Sequence, residues 1–373
     1  MAAASSVLQI QELCDYIVDF LYNNPASLKV CALLSRPLVS SAQYHLFYEV
    51  RFGNGIKWND GGASRRFCAI MKSSPHLLPL IQRMQASFTP DVLGQLCDLE
   101  LPNLRDVVLF RPIKDNIRVP NSTSVAYAAR LISFPSIRHV KLQDLVLEID
   151  NVAQLFQHCN PAFNSLSVSH INVSAFSATG THSRRAKQKI KTLSFDSLMP
   201  TGSTHTWLVH FLTLFNFEEL EELNLGTVSP ALLKLLHSSR QSIRKLQIYA
   251  QEVNLTYTRS PLSPAILAQL PFLTNLSIGS LGTELKDVET LLGGLPTPNG
   301  VKHLRIEIMT WPHEDRLREL GKTCASMSCT IEVALRQPIS RGLNKGDIMA
   351  LVRTAFLEVN ERGRLLVAAD GDA

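Results

Sequence analysis

The residues in this chain that could carry chemistry are few, and their spacing works against it. Gly321-Lys322-Thr323 has the ending of a phosphate-binding loop, in which backbone amides cradle a polyphosphate and the lysine neutralises it. Such a loop needs a glycine five positions before Gly321, where Arg316 stands, and a strand ahead of it that the sequence does not offer. His205 and His210 cannot share a helix face as metal ligands, and Cys324 and Cys329 lack the second pair that would complete a zinc site. No G-x-S-x-G elbow and no G-x-G-x-x-G turn occurs. The expectation is a protein that is not an enzyme, with no catalytic residues, no cofactor and no metal.

Binding is the chemistry left. The run "SRRAKQKIK" (183–191) holds five Lys and Arg, and the acidic "FEELEE" (217–222) follows one repeat later. A nucleic-acid surface would interleave such cations with aromatic rings that stack bases, and none is nearby, so the run reads as a solvated loop. The formal net charge of +5 on 373 residues gives no separate reason to expect nucleic acid.

At 45% hydrophobic and 18% charged residues, the chain has the composition of a folded protein. Its seven scattered cysteines suit reduced, buried thiols, which fits a cytoplasmic or nuclear location better than a disulfide framework. The N-terminus has no secretory pattern. The one tempting membrane stretch, Ser197 to Phe217, contains Pro200, Gly202, His205 and His210 and reads as a buried helix.

What would position binding residues is a repeat. Segments such as "LPNLRDVVLF", "FPSIRHVKLQ", "FEELEELNLG" and "LPFLTNLSIG" align on apolar residues at i, i+3 and i+5. The first positions are Leu104, Ile137, Phe163, Ile190, Leu220, Ile243, Leu273 and Val301, spaced 23 to 33 residues apart. Degenerate units starting at Ile81 and Ser328 extend the series. This is the leucine-rich-repeat strand spacing, with i+3 and i+5 pointing into a shared core, and helical stretches such as "NVAQLFQHC" and "SPALLKLLHSS" lie between strands. The asparagine or cysteine expected at i+8 is missing; that slot holds residues such as Leu145, Ile171 and Met309.

In this register, residues i+2, i+4 and i+6 face away from the core, and nearly all are polar or small, Asn224 and Ser277 among them. Two clusters offer the aromatic and basic side chains that carry binding energy. One is Phe110 and Lys141 with Val108 and His139; the other is Lys245 and Tyr249 toward His303 and Arg305. Phe110 has a second reading, as a lid on the first core layer. The mixed basic and aromatic character of the second cluster suits an acidic or phosphorylated segment.

The first fifty residues are different. Leu13, Tyr16, Ile17, Phe20 and Leu21 make one helical stripe; Asn24 caps a second helix with Pro25 at its first position; and a third piece from Ser41 to Val50 turns Tyr44, Phe47 and Val50 inward. The string "QELCDYIVDFLYNNPASLKVCALLSR" followed by "SSAQYHLF" resembles the F-box of the large mushroom-type fungal F-box family. Gln9-Ile10 stand where that family has Leu-Pro, and Leu38 where it has tryptophan.

Together the resemblance and the repeat give an α/β chain in four parts: a three-helix F-box-like module (1–50), a glycine-rich linker (51–63), a curved leucine-rich-repeat solenoid with parallel concave strands (64–335), and a C-terminal helix and tail (336–373). The resemblance implies a substrate-recognition subunit of an SCF-type cullin–RING ubiquitin ligase. Ile10, Leu13, Ile17, Pro25, Leu28 and Leu38 would then contact the adaptor, and through it a cullin, while the repeats hold a protein target. The departures at Gln9-Ile10 and Leu38 leave open a ligase-independent interaction scaffold.

Overall fold

The computed structural model describes residues 10–53, 61–111, 121–171, 187–197, 208, 211–226, 230–250, 264–280, 285–295, 300–309, 312–335 and 345–369. Among these, no helix is long and apolar enough to cross a membrane. The chain forms two compact units, residues 1–164 with 171–184, and residues 165–170 with 185–373.

The first unit begins with three helices, α1 (Gln11–Asp19), α2 (Pro25–Leu34) and α3 (Arg36–Tyr48). The Asn24 side-chain oxygen accepts the Ser27 amide at 3.1 Å and Pro25 opens α2, where its missing N–H costs nothing. Ser35 is extended, and Pro37 lies in the first turn of α3, so this proline starts the third helix and does not merely end the second. Helix α3 therefore begins earlier than Ser41, and its phase changes: Leu38, Ala42 and Leu46 turn inward, while Tyr44 is exposed and Val50 lies outside the helix.

Cys14, Val18, Leu28, Cys31, Leu38 and Ala42 form the core of this module, with Leu21, Ala32 and Leu46 packed around it. Three polar ties join α1 to α3. Gln11 Nε2 donates to the Pro37 carbonyl at 3.0 Å, Ser41 Oγ donates to Asp15, and His45 Nε2 meets Asp19 at 2.7 Å. Each tie lies four residues beyond the last on both helices, so α1 and α3 run parallel along one another.

The chain then enters a sheet sooner than expected. Strand β1 (Glu49–Phe52) pairs in parallel with β2 (Arg83–Ser87), which pairs with β3 (Asp106–Phe110), and that with β4 (His139–Gln143). The segment read as a linker thus holds the end of β1 and the start of helix α4 (Gly61–Ser73); residues 54–60 lie outside the described part. Helices α5 (Pro90–Leu96), α6 (Ser122–Ile132) and α7 (Ile149–Phe156) complete the first unit, each packed on the next.

In the second unit, β5 (Ser165–Ser169), β7 (Thr192–Ser197), β9 (Glu222–Leu225), β10 (Lys245–Ala250), β11 (Asn275–Ser280), β12 (His303–Ile308), β13 (Thr330–Leu335) and β14 (Leu365–Ala369) pair in parallel in that order. A separate short pair joins β6 (Gln188–Lys189) to β8 (Phe215–Asn216). Helices α8 (Pro230–Ser238), α9 (Pro264–Leu267), α10 (Lys286–Gly293), α11 (Glu314–Ala325), α12 (Lys345–Ala355) and α13 (Leu357–Glu361) belong to this unit. The C-terminal stretch is therefore more than a helix and tail. It adds a strand, β14, with Leu365 beside Ile331 and Val367 beside Val333.

The register is the one the apolar spacing predicts. Leu223, Leu246, Leu276 and Leu304 stand side by side at i+3, and Leu225, Ile248, Ile278 and Ile306 at i+5, all at most 2% exposed. The result is an α/β chain of strand–helix repeats on parallel sheets, the arrangement of a leucine-rich-repeat solenoid. Apolar Leu145 and Ile171 are buried at the i+8 slot, in place of an asparagine ladder. Polar ties sit at the other end of the strands. Asn103 Nδ2 donates to the Pro79 carbonyl at 2.7 Å, and Asn160 Nδ2 to the Phe134 and Ile137 carbonyls at 2.7 and 2.9 Å.

Leu276→Ala should cost about 2–5 kcal/mol, the range for a large-to-small change in a close-packed core. His303→Ala, exposed on the strand beside it, should stay within about 0.5 kcal/mol. Urea unfolding of the two variants checks the register; equal losses would contradict it.

Candidate functional site

Gly321, Cys324 and Cys329 are all buried. Gly321 lies inside α11, and a Cβ there would fall 2.1 Å from the Ala355 carbonyl oxygen, so the glycine lets α11 and α12 approach. Cys324 and Cys329 are buried free thiols, and burial pushes both pKa values up, away from thiolate chemistry. Burial likewise raises Cys97 to about 11 and Cys159 to about 12. Among the described residues no group of three His, Cys, Asp or Glu could hold a metal ion. His205 and His210 lie outside the described residues, as does the start of the basic run. In the described part of that run, Lys189 bonds to Glu219 and Lys191 reaches Glu221 at 3.4 Å. At these two lysines the acidic segment meets the basic one.

The first candidate surface is on the N-terminal module. Ile10, Leu13, Tyr16, Ile17 and Phe20 are exposed, Phe20 by 70%, and the Tyr16 and Phe20 rings meet edge-on at 4.8 Å. Leu13, Tyr16, Ile17 and Phe20 are four of the five residues of the sequence stripe and form the outer face of α1, while the fifth, Leu21, packs against the core. The inner face is Cys14 and Val18, which a search for large hydrophobes passes over. Pro25 is exposed at the start of α2, and Leu33 on that helix is 88% exposed. Leu28 and Leu38, which the resemblance also put at the adaptor, are 1% and 6% exposed and belong to the module's core. An outer face this apolar is the kind of patch that marks an interaction site.

The second surface is the strand face of the second unit. Tyr249 on β10 lies over Gly279 on β11, where a Cβ would stand only 2.3 Å from its Cδ1. With no side chain in the way, the tyrosine reaches β12, and its hydroxyl donates to Glu307 at 3.0 Å while accepting from Gln247 at 2.7 Å. Glu307 is 2% exposed, and its other oxygen accepts from Arg305 Nε at 2.9 Å. Arg305 then extends to Glu332 on β13, also at 2.9 Å. Lys245 is bonded to Glu222, and His303 is exposed at the start of its strand. Lys245, Tyr249, His303 and Arg305 do share a face, but its cations are already held by carboxylates. Periodicity places Glu222 and Glu307 on this face as well, at i+2 and i+6, but does not give the pairing, which depends on which side chains reach one another.

In the first unit, Phe110 is 8% exposed, and its ring lies 3.5 Å from where a Cβ of Gly53 would be. Its reading as a cover for the core layer is the one the structure supports, and it offers little to a partner. Lys141 and His139 are partly buried beside it, and burial lowers the pKa of His139. A charged group missed by the periodicity sits on the same face. Glu49 accepts from Arg51 at 2.8 Å and Gln85 at 2.6 Å, and Arg83 reaches Asp106 at 3.3 Å. The Arg51 hydrogen bond holds the Glu49 carboxyl below its usual range against the opposing effect of burial.

No protein-family model matches this chain, and no curated protein does. Among solved structures, it is similar to a chain of the crystal structure of a Rad7 and Elc1 complex in yeast. That similarity has 16% identity and a TM-score of 0.41, and it covers 74% of this chain and 67% of that one.

Gly279→Ala should displace the Tyr249 ring and cost about 1–3 kcal/mol, the usual range for overpacking. Tyr249→Ala in the same background should recover part of that loss, a coupling that thermal melts of the four proteins would measure. In the module, hydrogen bonds from Ser41 and Gln11 lower the pKa of Asp15 below its ordinary 3.8. Its contribution is therefore complete above that value and lost as the pH falls through the lower folded pKa. Asp15→Asn should flatten acid unfolding of the helical module below pH 3.8, followed by circular dichroism.

Proposed function

We propose that this chain is the substrate-recognition subunit of a cullin–RING ubiquitin ligase. The N-terminal helices serve as its F-box and the strand faces as its target-binding surface. One observation carries the reading: the segment that resembles an F-box in sequence folds as three helices with a core of their own, yet leaves Ile10, Leu13, Tyr16, Ile17 and Phe20 in solvent. Exposed hydrophobes on a small module are what a partner helix bundle would cover. The solenoid's contribution is effective concentration and orientation of a target, with the covalent chemistry done elsewhere in the assembly.

The full chain should retain an SCF adaptor in a pull-down. Ile17→Asp with Phe20→Asp should cut retention by about tenfold or more, as expected for hot-spot side chains. The melting temperature should stay near that of the unchanged protein, because both positions are exposed. Leu28→Asp should lose the adaptor together with the helical signal of the module, since it buries a carboxylate without a partner. If the unchanged chain retains no adaptor at micromolar concentration, the ligase reading fails and a ligase-independent scaffold stands in its place.

A further inference from the structure

We propose that β14 is a dimerisation edge, to which a second copy of this chain adds its own β14, antiparallel, about a two-fold axis at Val367. The inference concerns a different surface from the target and adaptor faces and does not rest on the ligase reading.

Among the described residues, β14 is paired on one side only, with β13. Its neighbours show what the other side lacks. Ile331 and Val333 are fully buried, whereas Leu365 and Val367, beside them in the same core rows, stay partly exposed. Leu366 is 58% exposed. A repeat stack normally closes on a unit with a polar outer face, and sheet edges are blunted by charge, proline or a bulge. Strand β14 reads Leu-Leu-Val-Ala-Ala in unbroken register and has none of these. Strand β1 in the first unit differs: it carries Glu49 and Arg51, in contact at 2.8 Å.

Backbone direction decides which pairing fits. The Ile331 amide donates to the Arg364 carbonyl at 2.8 Å. Alternation along the parallel ladder then turns the backbone groups of Leu366 and Ala368 toward β13, and those of Leu365, Val367 and Ala369 toward the open side. A two-fold axis at Val367 sets outward residue against outward residue: Val367 against its own copy, and Leu365 against Ala369. Of the possible centres, this one alone pairs all five residues of the strand.

The flanking sequence has the same symmetry. Arg362 and Arg364 precede the strand and Asp370 and Asp372 follow it, so the register sets position 364 against 370 and 362 against 372. Asp370 and Asp372 lie outside the described residues. The arginines are anchored at the strand's start: Arg362 donates to the Ala325 carbonyl at 2.8 Å, and Arg364 to those of Met327 and Cys329. Carbonyls hold a guanidinium without neutralising it, and the carboxylate of Glu358, 3.9 Å from Arg362, is exposed. Basic residues before an apolar strand and acidic ones after it complement a reversed copy of the same strand, while a parallel copy would set like charges side by side. The contact is isologous and closes at two chains.

The purified full chain should sediment as a dimer at micromolar concentration. Leu366→Lys should weaken association about tenfold or more, because the two lysines would lie diagonally on one face of the pair. The position is exposed, so the circular dichroism spectrum should not change. Cross-linking tests the register. Val367→Cys would oppose two thiols directly, with Cα atoms about 5.5 Å apart and within disulfide reach; Leu366→Cys would set its pair on a diagonal of about 7–8 Å. Under mild oxidation, Val367→Cys should give more covalent dimer than the unchanged chain, and more than the better exposed Leu366→Cys. A monomer throughout the micromolar range, an assembly larger than two chains, a dimer indifferent to Leu366→Lys, or equal cross-linking of the two cysteine variants would each overturn the proposal.

Discussion

The structure depends on one repeated constraint: no strand here can satisfy its backbone or bury its apolar side without the strand beside it. At the start of several turns, a single carbonyl accepts two successive amides from the next repeat. The Arg105 oxygen takes the amides of Arg138 and His139 at 2.9 and 3.0 Å. The Glu221 oxygen takes those of Arg244 and Lys245, and the Arg244 oxygen those of Thr274 and Asn275. The leucine at i+3 is then carried to the same depth as its neighbours, as the alignment of Leu223, Leu246, Leu276 and Leu304 shows. Because the bonds run between repeats, damage to one core position spreads along the stack.

That division of labour frees the opposite face. Once i+3 and i+5 supply the core, residues at i+2, i+4 and i+6 are constrained only by their neighbours across the strands. The tyrosine at 249 illustrates how much chemistry such a face can assemble: a glycine one strand away, a glutamate two strands away and an arginine that continues to a third. The freedom is incomplete, however. Asn224 and Ser277, which the alternation places in solvent, have side-chain oxygens sealed by what surrounds them, so acidic substitutions there would bury charge.

Much of the repeat could be read from the sequence, because burial at i, i+3 and i+5 leaves a strict apolar signature. The two units that escaped did so for identifiable reasons. Phe47, Val50 and Phe52 satisfy the spacing, but Phe47 and Val50 also fit a helix phase, and the α3 boundary at Tyr48 divides them between two elements. Leu365 and Val367 keep the spacing of β14, but the first slot holds Arg362, whose guanidinium donates to the Ala325 carbonyl at 2.8 Å. The site was harder to read. Lys245 and Arg305 look like free cations in a list of outward residues, although Glu222 and Glu307 stand in the same list; the pairing depends on register for Glu222 and Glu332 and on side-chain reach along β12 for Glu307.

The N-terminal module inverts the usual relation between side-chain size and depth. Cys14, Val18, Cys31 and Ala42 occupy much of its interior, while Tyr16, Phe20 and Leu33 stand outside. A core with small residues on several sides gains little from burial, since stabilisation follows the apolar area removed from water, at about 25 cal/mol per Å². The ladder of Gln11, Asp15 and Asp19 against Pro37, Ser41 and His45 fixes the direction of α1 along α3, but exposed polar ties of this kind add little stability. Much apolar surface is thus still in solvent, with Tyr16 63%, Phe20 70% and Leu33 88% exposed. Under the ligase reading, covering it would contribute to module stability as well as to affinity, since a partner that binds only the folded form stabilises that form. The gain is about 2.7 kcal/mol when the partner is present at a hundred times its Kd. Occupancy by the adaptor and order in the helices would then rise together, with the polar ladder setting which faces are presented and the partner supplying much of the apolar burial.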